Sequence, residues 1–330
     1  MSAPLLVTAS PHLAPRDSTP RIMWTVTATL VPVIVASAWL FGVSALLQVA
    51  VAALGALVAE RATGKGGTLA DGSALITGIL LGLSLPAGLP LWMTLLGSGF
   101  AIVFGKSVWG GLGSNVFNPA LVGRAFLQAA FPVALTTWPR MGSGFWALKG
   151  ELFALPFLHA SPSAVTSATP LGLLKFEGQG TRLLELVRGT TGGSLGETAS
   201  LVILVGGVYL ALRRYLNWRI PVGILLTVAA LSGLLHLVDP RRPDPLFMLF
   251  SGGLMLGAWY MATDLVTSPL TNRGRWLFAV GIGVLVVLIR IWGGLPEGVM
   301  YAILFMNALV PFINRATQPR VFGTRARAVS

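Results

Sequence analysis

Among a chain poor in reactive groups, the stretch Ser163-Ala-Val-Thr-Ser-Ala-Thr169-Pro-Leu-Gly-Leu-Leu174 offers hydroxyl chemistry. Pro170 disfavours the α region for the residue before it, so Thr169 should be extended, with its hydroxyl presented to solvent and not folded into a helix. In an arbitrary protein such a string is a Ser/Thr turn in a surface loop. The chain around it decides between these readings.

Few other residues have the means to react. Asp71-Gly-Ser-Ala74 opens one apolar block, and Met261-Ala-Thr-Asp264-Leu-Val-Thr267-Ser268-Pro269 closes another. Carboxylates at the edge of a membrane helix are costly and usually have a partner. Asp71 and Asp264 therefore read either as caps of the next helix or as functional groups, with Thr267 and Ser268 as neighbouring hydroxyls. Arg124 is the one basic residue near the middle of an apolar block and needs a carbonyl, a carboxylate or a phosphate. Lys106 and Arg290 lie near block ends, from which they can snorkel. His12, His159 and His236 form no ligand-spaced motif, and the absence of cysteine excludes disulfides and thiolate metal sites. Gly110-Gly-Leu-Gly113 lacks the strand context of a dinucleotide fold. With no nucleophile–base pair or Walker motif, a soluble-type active site is not expected.

These residues sit in a membrane protein. The 330 residues are 54% hydrophobic and 10% charged, against roughly 25% charged in a soluble domain. About ten apolar blocks are expected to cross the bilayer, near 22–41, 43–59, 72–86, 90–107, 116–133, 199–216, 219–237, 246–263, 276–293 and 296–314. The net charge of +12 reflects Lys and Arg collected in cytoplasmic loops and implies no nucleic acid. Placing both termini in the cytoplasm gathers fourteen basic residues inside, from Arg16 to Arg327, against Arg241 and Arg242 in the short outer loops. The first 20 residues hold no apolar core, so the first helix is expected to be the insertion signal.

The blocks give an all-α polytopic fold in three parts: an N-terminal tail and first five helices (1–133), a long extracytoplasmic loop carrying Thr169 (134–198), and five further helices with a cytoplasmic tail (199–330). The loop's Trp138, Trp146, Phe153, Phe157 and Phe176 suit the membrane surface or a partner subunit. A faint repeat relates Phe117-Asn118-Pro-Ala-Leu-Val122 to Phe305-Met-Asn-Ala-Leu-Val310. Five helices per half gives the halves opposite topology, as in inverted-repeat folds that build sites from short or broken helices.

Several motifs in order carry a resemblance: Ser10-Pro-His12 with Arg21-Ile-Met23, then Gly110-Gly-Leu-Gly-Ser-Asn-Val-Phe-Asn-Pro-Ala120, Gly193-Ser-Leu-Gly-Glu-Thr198, Trp218-Arg-Ile-Pro221 and Met261-Ala-Thr-Asp-Leu-Val-Thr-Ser-Pro269. Over nearly its whole length the chain resembles the RnfD family of Rnf electron-transport complexes, homologous to the B subunits of sodium-pumping NADH:quinone reductases. The resemblance implies FMN joined through a phosphoester to the threonine ending a Ser/Gly-Ala-Thr motif, installed by a flavin transferase. Ser167-Ala168-Thr169 matches that motif, and the small Ser167 and Ala168 would let the transferase reach the hydroxyl. The family motif usually begins with aspartate, where this chain has Ser163. A second, non-covalent flavin (riboflavin) is also implied, without assigned residues.

The implied function is that of a bacterial inner-membrane component of an ion-translocating ferredoxin:NAD oxidoreductase, relaying single electrons through FMN on Thr169. Its partners would be the A, B, C, E and G components of the Rnf complex, with nicotinamide and iron–sulfur sites on those chains. Three alternatives remain open on the residues alone: the flavin subunit of a sodium-pumping NADH:quinone reductase, which a short cytoplasmic N-terminus disfavours, a small-solute channel of inverted-repeat type, and a scaffold that anchors redox subunits and leaves Thr169 unmodified.

Overall fold

The computed structural model describes residues 17–64, 68–139, 141–142, 144–156 and 166–319. Phe157, Ser163, His159 and the Ser10-Pro-His12 motif lie outside them.

The described chain is helical, and each of the ten apolar blocks coincides with helical structure. Five helices are long and apolar enough to cross a membrane: α1 (Thr19–Phe41), α2 (Val43–Thr63), α10 (Arg219–Val238), α13 (Asn272–Trp292) and α14 (Val299–Thr317). The other blocks form shorter or interrupted elements. Helices α3 (Ser73–Ser84) and α5 (Pro119–Ala130) have 12 residues each, about 18 Å at 1.5 Å per residue, against a hydrocarbon core of roughly 30 Å. Helix α4 (Leu91–Ile102) continues into a π-turn, Val103–Ser107, and α9 spans Ser200–Leu212. The block near 246–263 is broken: α11 (Pro245–Phe250) stops at Ser251, Gly252 takes φ 67°, and α12 (Leu254–Leu256) resumes into a π-turn, Gly257–Met261. The multi-pass membrane character is thus borne out; among the described residues five helices have the length of a full crossing, and the other blocks form shorter or interrupted helices.

Local sequence sets these ends. Ser18 caps α1, Asn118 caps α5 with Pro119 behind it, Asp244 caps α11 with Pro245 behind it, and Thr271 caps α13. Each side chain satisfies a backbone N–H that the first helical turn leaves open. Glycine lets the short helices pack closely. A Cβ on Gly78 of α3 would sit 2.5 Å from Ala53 Cα of α2, so backbone meets backbone there. One core runs through both halves, with Phe41, Leu81, Leu127 and Phe278 fully buried. Outward positions such as Trp39 (87% exposed) and Leu237 (82%) are apolar, as a lipid-facing surface requires.

The segment between α5 and α9 gathers at one end of the helical body. It contains α6 (Pro132–Thr136), a two-residue antiparallel pair β1–β2 (Trp138–Pro139 with Thr166–Ser167), α7 (Pro170–Gly172) and α8 (Leu183–Arg188). Backbone bonds tie it there: Val43 N–H to Phe145 O (2.8 Å), Leu91 N–H to Leu152 O (2.9 Å) and Gly196 N–H to Leu83 O (2.6 Å).

Candidate functional site

Thr169 lies where the short strand gives way to α7. Its φ of −71° and ψ of 153° are extended, as Pro170 dictates. The Gly172 N–H donates to Thr169 Oγ1 at 3.1 Å, so the threonine is also the cap of α7. The β1–β2 pairing places Trp138 opposite Ser167, and Ala168 is exposed.

Thr169 opens on a cavity of about 870 Å3. Aromatic walls come from Trp138, Phe176 and Tyr301, and one wall is charged, with Arg124, Glu197 and Glu297. Arg124, projecting from α5, donates to Ser84 O at 2.5 Å and pairs with Glu297 Oε2 at 3.3 Å. The sequence required a carbonyl or carboxylate for this arginine, and both are present. Glu297 Oε1 also accepts the Gly253 N–H, a short bond at the break between α11 and α12. Glu197 accepts from the Ser194 hydroxyl at 2.7 Å and is hydrogen-bonded to Glu297. Burial first, and the Glu297 charge second, push the Glu197 carboxyl up to about 8; Arg124 and Ser194 oppose that rise. The site is therefore assembled where α3 ends, where α11 and α12 part, and where the chain enters α9 and α14.

The remaining candidates collect at the other end of the helices. Asp71 Oδ1 accepts from Ser73 N (2.8 Å) and Ser73 Oγ (2.5 Å). Both contacts lie in the turn that leads into α3, whose cap residue is Gly72. Asp264 likewise orders its own turn, accepting from Val266 N at 3.3 Å and Thr267 Oγ1 at 3.2 Å, while Ser268 is buried beside it. Asn118 accepts from Leu121 N (3.3 Å) and donates to Met261 O (3.0 Å). With its amide oriented to suit its neighbours, Asn307 donates to Thr267 O (3.3 Å) and accepts from Asn118 N (3.2 Å). The two asparagines of the faint repeat thus meet across the molecule.

Two sequence expectations are corrected. Lys106 does not snorkel: the π-turn carries it inward, where Nζ donates to Glu60 Oε1 (2.5 Å) and Ser73 Oγ (2.6 Å), and the residue is 3% exposed. Arg290, 4% exposed, donates to Met248 O (2.6 Å) and Ser251 O (2.9 Å). A reachable helix end matters less than a free carbonyl at a helix break, which satisfies the guanidinium without solvent. A smaller cavity of about 110 Å3 lies at this end, with Lys106, Asn115, Asn118, Trp259 and Asp264 on its walls.

Glu60, Glu197, Glu297 and Asn307 were not singled out from sequence. Glu60 and Glu297 are lone carboxylates at the edges of apolar blocks, the same signal that marks Asp71 and Asp264.

Five helices long and apolar enough to cross a membrane, interrupted helices that meet at a charged cavity, and a threonine on the wall of that cavity define a polytopic helical membrane protein with a built internal site. Comparison with known proteins narrows the class. The chain belongs to the NQR2, RnfD, RnfE family, whose model matches residues 6–323. It is 41% identical to the D component of the proton-translocating ferredoxin:NAD(+) oxidoreductase complex of Clostridium ljungdahlii, covering 97% of this chain and 96% of that one. It is 43% identical to the D component of the ion-translocating oxidoreductase complex of Stutzerimonas stutzeri (94% of each). It is 38% identical to the D component of the Na(+)-translocating ferredoxin:NAD(+) oxidoreductase complex of Acetobacterium woodii (97% and 95%).

Proposed function

We propose that this chain is the RnfD component of an ion-translocating ferredoxin:NAD oxidoreductase complex of the bacterial inner membrane, and that Thr169 carries FMN through a phosphoester bond. The observation that carries this reading is the placement of Thr169, a proline-fixed, extended threonine on the wall of a cavity of about 870 Å3. That volume lies within the roughly 300–1,000 Å3 of typical ligand pockets. Among the described residues the Thr169 hydroxyl accepts one backbone N–H and donates to no acceptor, which leaves the oxygen open to esterification. When bound, FMN supplies one-electron acceptance and donation, chemistry no side chain of this chain provides.

The chain's own residues fix and shelter that position. Trp138, Phe176 and Tyr301 give flat apolar walls for an aromatic ring. Arg124, held by Ser84 O and Glu297, keeps a fixed positive charge on the wall. Burial and the neighbouring Glu297 charge favour the protonated form of the Glu197 carboxyl. Nicotinamide and iron–sulfur chemistry falls to the partner subunits, as does part of the ion path; a flavin transferase performs maturation.

The riboflavin implied by the resemblance would have to sit among the helices, where the smaller cavity is lined by Asn115, Asn118, Trp259 and Tyr260. At about 110 Å3 that cavity is below the roughly 300 Å3 of a typical ligand pocket. A tricyclic ring does not fit there without movement of the walls, and no step is assigned to it.

We also infer two inverted five-helix halves with ten crossings, both termini cytoplasmic and the Thr169 segment outside. In support, neighbour relations recur: α2 packs on α4 and α4 on α5, as α10 packs on α13 and α13 on α14. The fifth helices, α5 and α14, meet at Asn118 and Asn307.

The test is in-gel flavin fluorescence of the denatured chain, co-expressed with a flavin transferase, beside Thr169→Ala. Fluorescence that survives denaturation and vanishes in the variant supports the reading. A dark parent band under those conditions refutes covalent flavin on Thr169 and leaves the family assignment standing.

A further inference from the structure

Six residues after Thr169, Lys175 stands in the π-turn Leu173–Glu177 that continues α7. Its ammonium donates to Arg290 O (3.0 Å), Leu295 O (2.9 Å), Ile289 O (3.3 Å) and, by a short bond, Gly293 O. All four acceptors come from the end of α13 and the loop that follows, 114 residues or more away in sequence. Carbonyls in the last turn of a helix lack intrahelical donors, and the helix dipole places negative potential there. An ammonium has three N–H groups, so four convergent carbonyls saturate it. A solvated surface lysine gains nothing from such a geometry and loses side-chain entropy on entering it.

The loop that Lys175 grips is the one that brings Leu295 and Glu297 to the cavity wall. One ammonium therefore joins the turn bearing Thr169 to the loop bearing the partner of Arg124. Leu171 adds a small apolar contact with Leu186 and Phe247. That contact lets the turn rest on the helices, but it is non-directional and does not fix the turn's distance from the charged wall.

We propose that Lys175 is a positioning residue: it locks the Thr169 turn onto the end of α13, and so sets where the group attached at Thr169 sits relative to Arg124 and Glu297. The flavin part of this statement rests on the reading given under Proposed function; the clamp itself does not.

The chain contains no cysteine, so Thr169→Cys provides one unique thiol for a nitroxide spin label in the purified full-length chain. A separate label at Leu237→Cys, on the exposed face of α10, reports general loosening. Lys175→Met in the Thr169→Cys background is expected to shorten the label's rotational correlation time several-fold. The Leu237→Cys label and the thermal midpoint are expected to stay unchanged. In the parent chain carrying FMN, Lys175→Met should lower flavin fluorescence anisotropy while leaving the in-gel flavin yield intact. An unchanged spectrum at position 169 overturns the clamp, and so does parallel loosening of both labels with a fall in midpoint. If no flavin is attached to the parent, the flavin reading fails, and the spin-label arm still decides the clamp.

Discussion

Lys106→Met should destabilise this protein more than the double replacement Glu60→Leu/Lys106→Met. In the native chain the Lys106 and Glu60 side chains are 4% and 3% exposed and 2.5 Å apart. Glu60 Oε2 already has no partner among the described residues. Removing the ammonium strips Oε1 of its donor as well and leaves an uncompensated carboxylate in the interior. Breaking a buried pair from one side costs about 3–5 kcal/mol, whereas replacing both partners by apolar groups of similar volume is often neutral or stabilising. With an unfolding entropy of about 2.1 cal/mol/K per residue, the 330 residues give about 0.7 kcal/mol/K, so about 4 kcal/mol lowers the midpoint by about 6 °C. Ser73 moderates the loss slightly, because its hydroxyl keeps Asp71 as acceptor after Lys106 is gone. The assay is thermal unfolding of the purified protein in detergent, followed by intrinsic tryptophan fluorescence, for the parent, both single variants and the double. A Lys106→Met midpoint equal to the parent's, or a double variant that falls by the sum of the singles, would refute the argument that this is a desolvated pair and not a screened one.

Three further outcomes follow from the same contacts. Glu197 has its carboxyl raised to about 8, so between its ordinary value near 4.5 and 8 the native state holds a proton that the unfolded chain releases. Stability should fall as pH rises through that window; Glu197→Gln should flatten the slope and be the more stable protein above pH 8, and parallel midpoint curves would contradict it. Gly78→Ala brings a Cβ to 2.5 Å from Ala53 Cα and 2.6 Å from Ala52 O, overpacking worth about 1–3 kcal/mol or more. Gly99→Ala meets nothing within 4 Å and should be neutral or gain up to about 1 kcal/mol of helix propensity, so the two variants should differ in sign when melted side by side. Asn118→Ala loses the cap of α5 and the donor to Met261 O, a loss of about 2–3 kcal/mol. Asn118→Asp keeps the cap, and an equal fall in midpoint for both would show the cap to be irrelevant.

Much of the fold was legible in the chain because membrane insertion writes itself into composition. A bilayer core offers no partner for backbone groups, so crossing segments must be apolar and helical, and the ten blocks read from sequence all fall on helices. Pro170 likewise fixed the backbone of Thr169 by local sterics alone, before any tertiary contact. The lengths of the blocks were less informative. Hydropathy does not distinguish one continuous helix from α11, the Gly252–Gly253 break and α12, since the residues on both sides of the break are equally apolar.

The charged groups mark where local reasoning ended. Lys106 and Arg290 stand near block ends, and sequence distance alone suggested solvent; the π-turn and the carbonyls freed at the helix break instead gave them buried partners. Glu297 is 173 residues from Arg124, and Lys175 is likewise remote from the carbonyls it grips. No period or spacing encodes such pairings, because they depend on which helix ends the packing brings together. The sequence by itself determined a polytopic helical membrane protein, its family and a threonine held extended by its proline. Only the tertiary structure decided that this threonine faces a large cavity with a charged wall, because that wall is built from the ends of elements far apart in the chain.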